Sequence, residues 1–278
     1  MFTNILARSE IVAWPRWASM WALAVAIYAI CKLLTWSTAN AASAARWKHA
    51  AYLLAWPGMD ATAFLESARH ATRCQNVEWI RATANIAAGI FLVFVAARLV
   101  PPDHLYLTGW IGMVGFVLIL HFGSFHLSSC VWRRLDLQAR PLMNHPWQSG
   151  SLGEFWGRRW NTAFRDLTYR YLFRPLTKRF GAHAGILSGF AFSGFLHDLV
   201  ISVPTGGGYG GPTLFFVVQG LAVAAERTEY GRRIGLGRGV RGRAFAAVML
   251  LAPLPLLFHR PFVVGVITPF MHAIGALP

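Results

Sequence analysis

The chain has 278 residues, of which 55% are hydrophobic and 13% charged, and its formal net charge is +15. Soluble globular domains rarely combine these values, which excludes water as the main solvent and leaves one integral-membrane domain over residues 1–278, since a spanning helix takes about 20 mostly apolar residues. The basic residues fall between apolar stretches instead of forming one basic face, so the charge reports membrane topology and not nucleic-acid binding.

In chain order, hydropathy predicts spans near Trp17 to Trp36, Ala50 to Leu65, Ile80 to Val100, Tyr106 to Val131, His183 to Val203, Pro212 to Ala225, Ala244 to Phe258 and Phe262 to Leu277. The expected fold is therefore all-α, a polytopic transmembrane bundle of about eight spans with an interfacial amphipathic segment. The run from Trp17 to Leu34, followed by Ala39, Asn40 and Ala41, is longer than a signal-peptide core and is read as the first span. Trp56-Pro57-Gly58 breaks the second span, which lipid tolerates only where protein or water satisfies the freed backbone groups.

Cytoplasmic loops are enriched in Lys and Arg. The arginine-rich segments after the fourth span (Arg133 to Arg179) and after the sixth (Arg227 to Arg243) are assigned to the cytoplasm, together with Arg8, Arg16, Arg69, Arg73 and both termini. Arg46 and Lys48 fall on the other side and are the one exception.

The stretch from Trp132 to Gly181 is too polar to span, yet it carries the Trp, Phe, Leu and Tyr that disordered linkers avoid. Ser151 and Glu154 form an S-x-x-E capping box, and Leu152, Phe155, Trp156, Trp160, Ala163, Phe164, Leu167 and Tyr171 then recur at helical spacing. This predicts one amphipathic helix lying along the membrane with Arg158, Arg165 and Asp166 on its wetter side.

His197 and Asp198 lie deep in the apolar fifth span, where ionisable residues are costly and functional by default. Ser193 and Gly194 share the His197 face, with Gly189 two turns back. Two readings fit, a neutral histidine bonded to a neighbouring helix or a reactive group beside a substrate. His121 and His126 share no helical face and lack the HxxxH and HxxHH spacings of di-iron enzymes. Cys31, Cys74 and Cys130 lie far apart without a CxxC pair, and are expected to be unpaired packing or lipid-facing residues, neither a zinc site nor a disulfide framework. The Gly206 to Gly211 run lacks the Lys-Ser/Thr ending of a phosphate loop and reads as a turn. No G-x-S-x-G elbow is present.

Asn144-His145-Pro146-Trp147 is followed by Ser151-Leu152-Gly153-Glu154-Phe155-Trp156-Gly157-Arg158-Arg159-Trp160-Asn161 and then by Ser193-Gly194-Phe195-Leu196-His197-Asp198. These blocks resemble the wax synthases of the membrane-bound O-acyltransferase superfamily, which carry an N-x-P segment, an S-L-x-[ED]-F-W-G-R-R-W-N block and an S-G-x-x-H-[ED] helix. Weaker echoes follow at Phe215 to Glu226, including F-F-x-x-Q-G and a later Glu, and near the C-terminus. Asp198 stands where plant relatives have Glu, and the chain is shorter than theirs.

The resemblance implies transfer of a long acyl group from acyl-coenzyme A, as co-substrate, to the hydroxyl of a lipid alcohol, with no cofactor and no metal. It implies that His197 is the catalytic base and Asn161 the second catalytic group, and its bacterial flavour implies an inner membrane. The substrate-binding residues expected beside them are Trp160, Arg158, Arg159, Asn144, Ser193 and Asp198, the two arginines for the phosphates of coenzyme A. The chemistry suits these residue types, because an acyl thioester needs only deprotonation of the incoming hydroxyl, for which a histidine of pKa about 6.5 is competent. The alternatives are a transporter or lipid-binding protein with His197 and Asp198 as a polar relay, and an acyltransferase with a sterol, glycerolipid, sugar or protein acceptor.

Overall fold

In lipid every backbone polar group has to be satisfied within the protein, which favours helices. The computed structural model describes residues 14–66 and 71–278; Arg8 and Arg69 of the topology scheme lie outside the described residues. Among the described residues every regular element is helical. The main elements are α1 (Arg16–Ser37), α2 (Arg46–Ala55), α3 (Ala61–Leu65), α4 (Asn76–Leu99), α5 (Pro102–Arg134), α6 (Thr162–Thr168), α7 (Ala182–Thr205), α8 (Gly211–Arg227) and α9 (Gly239–Leu257).

Five of them, α1, α4, α5, α7 and α9, are long and apolar enough to cross a membrane. The chain is an integral membrane helical protein. The other three expected spans are shorter: the second is split into α2 and α3, the sixth is the 17-residue α8, and the last is a run of short pieces, Arg260–Phe262, Val263–Ile267 and Thr268–Ala273. Val93, Met113, Phe215, Phe262, Val266 and Met271 form the main buried core between these helices. At the α7–α8 crossing, a Cβ on Gly194 would lie 2.6 Å from the Thr213 Cα, so glycine is what lets the two backbones approach.

The break at Trp56-Pro57-Gly58 is satisfied by side chains from two other helices. Ser128 Oγ and Trp132 Nε1 donate to the Ala55 carbonyl at 3.1 and 3.2 Å. Lys32 Nζ donates to the Trp56 carbonyl at 2.7 Å and to that of Gly58, and Tyr28 also donates to Trp56. The ammonium lies 3.4 Å from the centre of the Tyr52 ring, a cation–π contact. Lys32 is 2% exposed, and its donors go to backbone, which makes it a structural clamp. Lys32→Met is therefore expected to lower the thermal midpoint in detergent, at a cost of about 1–3 kcal/mol for the orphaned carbonyls. An unchanged midpoint would remove the clamp from the description.

Two expectations are corrected. Cys74 and Cys130 form a disulfide that ties the segment before α4 to the end of α5, and Cys31 is the free thiol. Their separation of 56 residues concealed a proximity created by the packing of α4 on α5. Alkylation of the denatured, unreduced protein should label Cys31 alone, and reduction should expose the other pair; labelling of all three without reduction would contradict the bond. Beside it, Glu78 accepts from Arg133 Nη2 at 2.6 Å and lies 3.2 Å from His126 Nε2. With the sulfurs joined and the carboxylate taken by the guanidinium, Cys74, Glu78 and Cys130 read as a staple and not as a metal site.

The interface segment is not one continuous helix. A turn at Leu152–Glu154 runs into a π-helical turn at Phe155–Arg159, the chain breaks at Trp160 and Asn161, and α6 then begins. Asn161 sits at φ 40°, in the left-handed region where Asn is tolerated, and its Oδ1 accepts from Phe164 N at 3.3 Å to cap α6. Ser151 caps as expected, accepting from Glu154 N at 3.0 Å. The Glu154 carboxylate instead accepts from Gly150 N at 2.7 Å and pairs with Arg159, and the Gly150 amide, followed by Arg159, holds its pKa below the usual range.

Candidate active site

The break at Asn161 turns the Phe155–Arg159 piece and α6 into one wall of a cavity whose opposite wall is α7 with part of α8. The cavity has a volume of about 700 Å³. Along α7 its lining steps inward from the arginine-rich end through Gly185, Gly189 and Ser193 to His197, about 18 Å of helix at 1.5 Å per residue. Phe216 of α8 packs against the imidazole, with ring centroids 4.5 Å apart.

One hydrogen bond defines the state of His197. Its Nδ1 lies 2.7 Å from the Ser193 carbonyl oxygen, an acceptor only, so Nδ1 carries the proton and donates. That tautomer leaves the lone pair on Nε2. The orienting group is a helix carbonyl one turn back, as the i, i+4 spacing allows. A π-helical turn, Asp198–Ser202, follows immediately; such turns are frequent at functional sites.

The expected site residues divide clearly. His197, Ser193, Asn161, Trp160 and Arg158 all line the cavity. Trp160 is stacked between Phe155, 5.5 Å away, and His121, 5.9 Å away, and forms a wall. Ser193 Oγ donates to the Gly189 carbonyl at 3.0 Å, and its own carbonyl holds His197.

Arg159 and Asn144 are not brought into the cavity lining. Arg159 Nε donates to Glu154 at 2.7 Å and its Nη1 to the Asn144 and His145 carbonyls, while Asn144 N donates to the Arg159 carbonyl at 2.8 Å. The pair clips the N-x-P segment to the wall. Asp198 also turns away: its carboxylate accepts from Ser202 Oγ at 2.8 Å, Gly210 N at 2.9 Å, Thr213 N at 3.0 Å and Thr213 Oγ1, which caps the start of α8.

Sequence reasoning missed several lining groups. Arg165, placed on the wetter face, and Arg227, read only as topology, line the cavity with Arg158. Arg232 and Arg238 line an adjoining depression that shares Gly237 with it. Glu226 is buried and accepts from the Leu152 and Gly153 amides at 2.6 and 2.8 Å, pinning the Leu152 turn to α8. Gln219, also buried, accepts from Trp156 Nε1 at 3.2 Å and donates to the Met249 carbonyl. The F-F-x-x-Q-G echo and its later Glu were the available signal for both.

Most of the cavity lining, from Ser151 to Phe216, falls within residues 139–218, which match the profile of the "Membrane bound O-acyl transferase family". Over this stretch the chain is similar to the membrane bound O-acyl transferases. Among curated proteins it is 31% identical over 116 residues to "Probable long-chain-alcohol O-fatty-acyltransferase 7" of Arabidopsis thaliana, covering 36% of this chain and 33% of that protein. It is 29% identical over 146 residues to "Probable long-chain-alcohol O-fatty-acyltransferase 9" of the same plant, covering 46% and 42%. With "Long-chain-alcohol O-fatty-acyltransferase" of Simmondsia chinensis the identity is 33% over 120 residues, covering 39% and 34%. The chain thus spans between a third and about two-fifths of the length of these relatives. The family match covers the cavity lining from Ser151 to Phe216.

Proposed function

We propose that the protein transfers a long acyl group from acyl-coenzyme A to the hydroxyl of a lipid alcohol, with His197 as general base. The observation that carries this reading is the Ser193-held imidazole, with its lone pair on Nε2, on the wall of a cavity that arginines also line. Nε2 takes the alcohol proton as the oxygen attacks the thioester carbonyl. The tetrahedral intermediate then collapses, expelling the thiolate of coenzyme A, which recovers the proton from the imidazolium. The Asn161 amide, its Oδ1 engaged in the α6 cap, has its NH₂ to offer a developing oxyanion. Arg158, Arg165 and Arg227 suit the donor's phosphates, a role in which Arg227 replaces the clipped Arg159.

In this scheme the arginine-bearing face and both termini are cytoplasmic, and α2–α3, α8 and the residues after Arg260 complete a bundle of about eight membrane elements. A bacterial inner membrane is the expectation drawn from the sequence; the relatives named above are plant proteins and support residence in a membrane only. The transporter alternative relied on His197 and Asp198 acting together, whereas the Asp198 carboxylate is committed to the start of α8.

The test is purified protein with labelled acyl-coenzyme A and a panel of fatty alcohols, sterols, diacylglycerols, sugars and peptides. Ester with the fatty alcohols supports the proposal. Ester on another acceptor replaces the acceptor, and no ester on any of them sinks the acyltransferase reading.

A further inference from the structure

We infer that Gly189 is a specificity-determining residue, kept without a side chain so that the slender arm joining the donor's phosphates to its thioester can pass along α7. This rests on the acyl-coenzyme A reading above. A glycine inside a helix costs about 1 kcal/mol relative to alanine, and in membrane helices the usual compensation is close helix packing. Gly194 and Gly185 show that compensation, since a Cβ on the first would strike Thr213 and on the second Thr177 Oγ1. Gly189 does not. A Cβ there meets nothing within 4 Å, its φ is not in the left-handed region, and the residue lines the cavity.

Its position states what the space is for. Gly189 lies on the same stripe of α7 as Ser193 and His197, eight residues and about 12 Å before the imidazole, and on the side toward the arginine-rich end of the helix. A donor with its phosphates on Arg158, Arg165 or Arg227 and its carbonyl at His197 has only its flexible linker opposite Gly189. A bulky group there would be excluded, and so would a side chain at 189.

Two measurements decide this. In full-length protein with Cys31→Ser, Gly189→Cys is labelled by a maleimide, with Cys74 and Cys130 left paired. Desulfo-coenzyme A, which keeps the arm but has no thiol to consume the reagent, at about ten times its Kd should slow labelling about tenfold, whereas 3′,5′-ADP, which carries phosphates but no arm, should leave the rate unchanged at the same occupancy. Equal protection by both, or protection by neither, overturns the inference, and this readout needs no turnover. Separately, Gly189→Leu should lower kcat/KM for acyl-coenzyme A by about 100-fold yet spare the corresponding acyl-N-acetylcysteamine thioester, whose short arm ends before residue 189. Equal losses with both donors, or a loss that scales with acyl length, would assign the space to the acyl chain or the acceptor and refute the proposal. A wild-type protein that makes no ester from either donor removes the acyltransferase reading and leaves the labelling result to judge Gly189.

Discussion

His197→Ala is expected to lower ester formation by about 10²- to 10⁴-fold, the usual contribution of a positioned general base, with the protein still folded. The structure makes this a loss of chemistry more than of stability. Among the described residues the imidazole's hydrogen bond goes to the Ser193 helix carbonyl, and the ring packs on Phe216 at the wall of an existing cavity. Turnover of labelled acyl-coenzyme A with a fatty alcohol, read beside the thermal midpoint in detergent, checks both halves. Retained turnover would remove His197 from the mechanism. A collapsed midpoint would instead make it a core residue.

Asp198→Ala should do the opposite. Its carboxylate accepts from Ser202, Gly210 and both donors of Thr213, and hydrogen bonds to charged groups contribute about 1.5–3 kcal/mol each. Because the site is partly open, a total loss of about 2–4 kcal/mol is expected, visible as a lower midpoint. Asp198→Asn should recover part of it, since Asn serves nearly as well as Asp at helix N-termini. If Asp198→Ala kept the wild-type midpoint and lost turnover, the residue would belong to the reaction and not to the start of α8.

How much of this was legible depended on range. Apolar runs such as Trp17 to Trp36 announce a spanning helix because hydropathy is a local sum, and His197 stood out because an ionisable residue in such a run is itself the anomaly. The Asn161 break was hidden because the spacing from Leu152 to Tyr171 satisfies a continuous helix, and the extended backbone of Trp160 followed by the left-handed backbone of Asn161 bends it. Asp198 and Arg159 share a different difficulty. Their motif neighbours are adjacent in sequence, but what they bind is decided by Gly210, Thr213, Asn144 and Glu154, which the fold delivers. Cys74 and Cys130 carry no local signal at all, since helix packing alone brings them together.

The clamp at Lys32 has a consequence for biogenesis. Helix α1, on leaving the ribosome, carries its ammonium before the carbonyls of Trp56 and Gly58 have been made, and a Lys at the centre of a membrane helix costs about 3 kcal/mol on insertion scales. The helix and the broken element behind it are thus best released into the bilayer as a pair. Its entry would then wait on the synthesis of some 25 further residues, an order written into the chain by a single amino group.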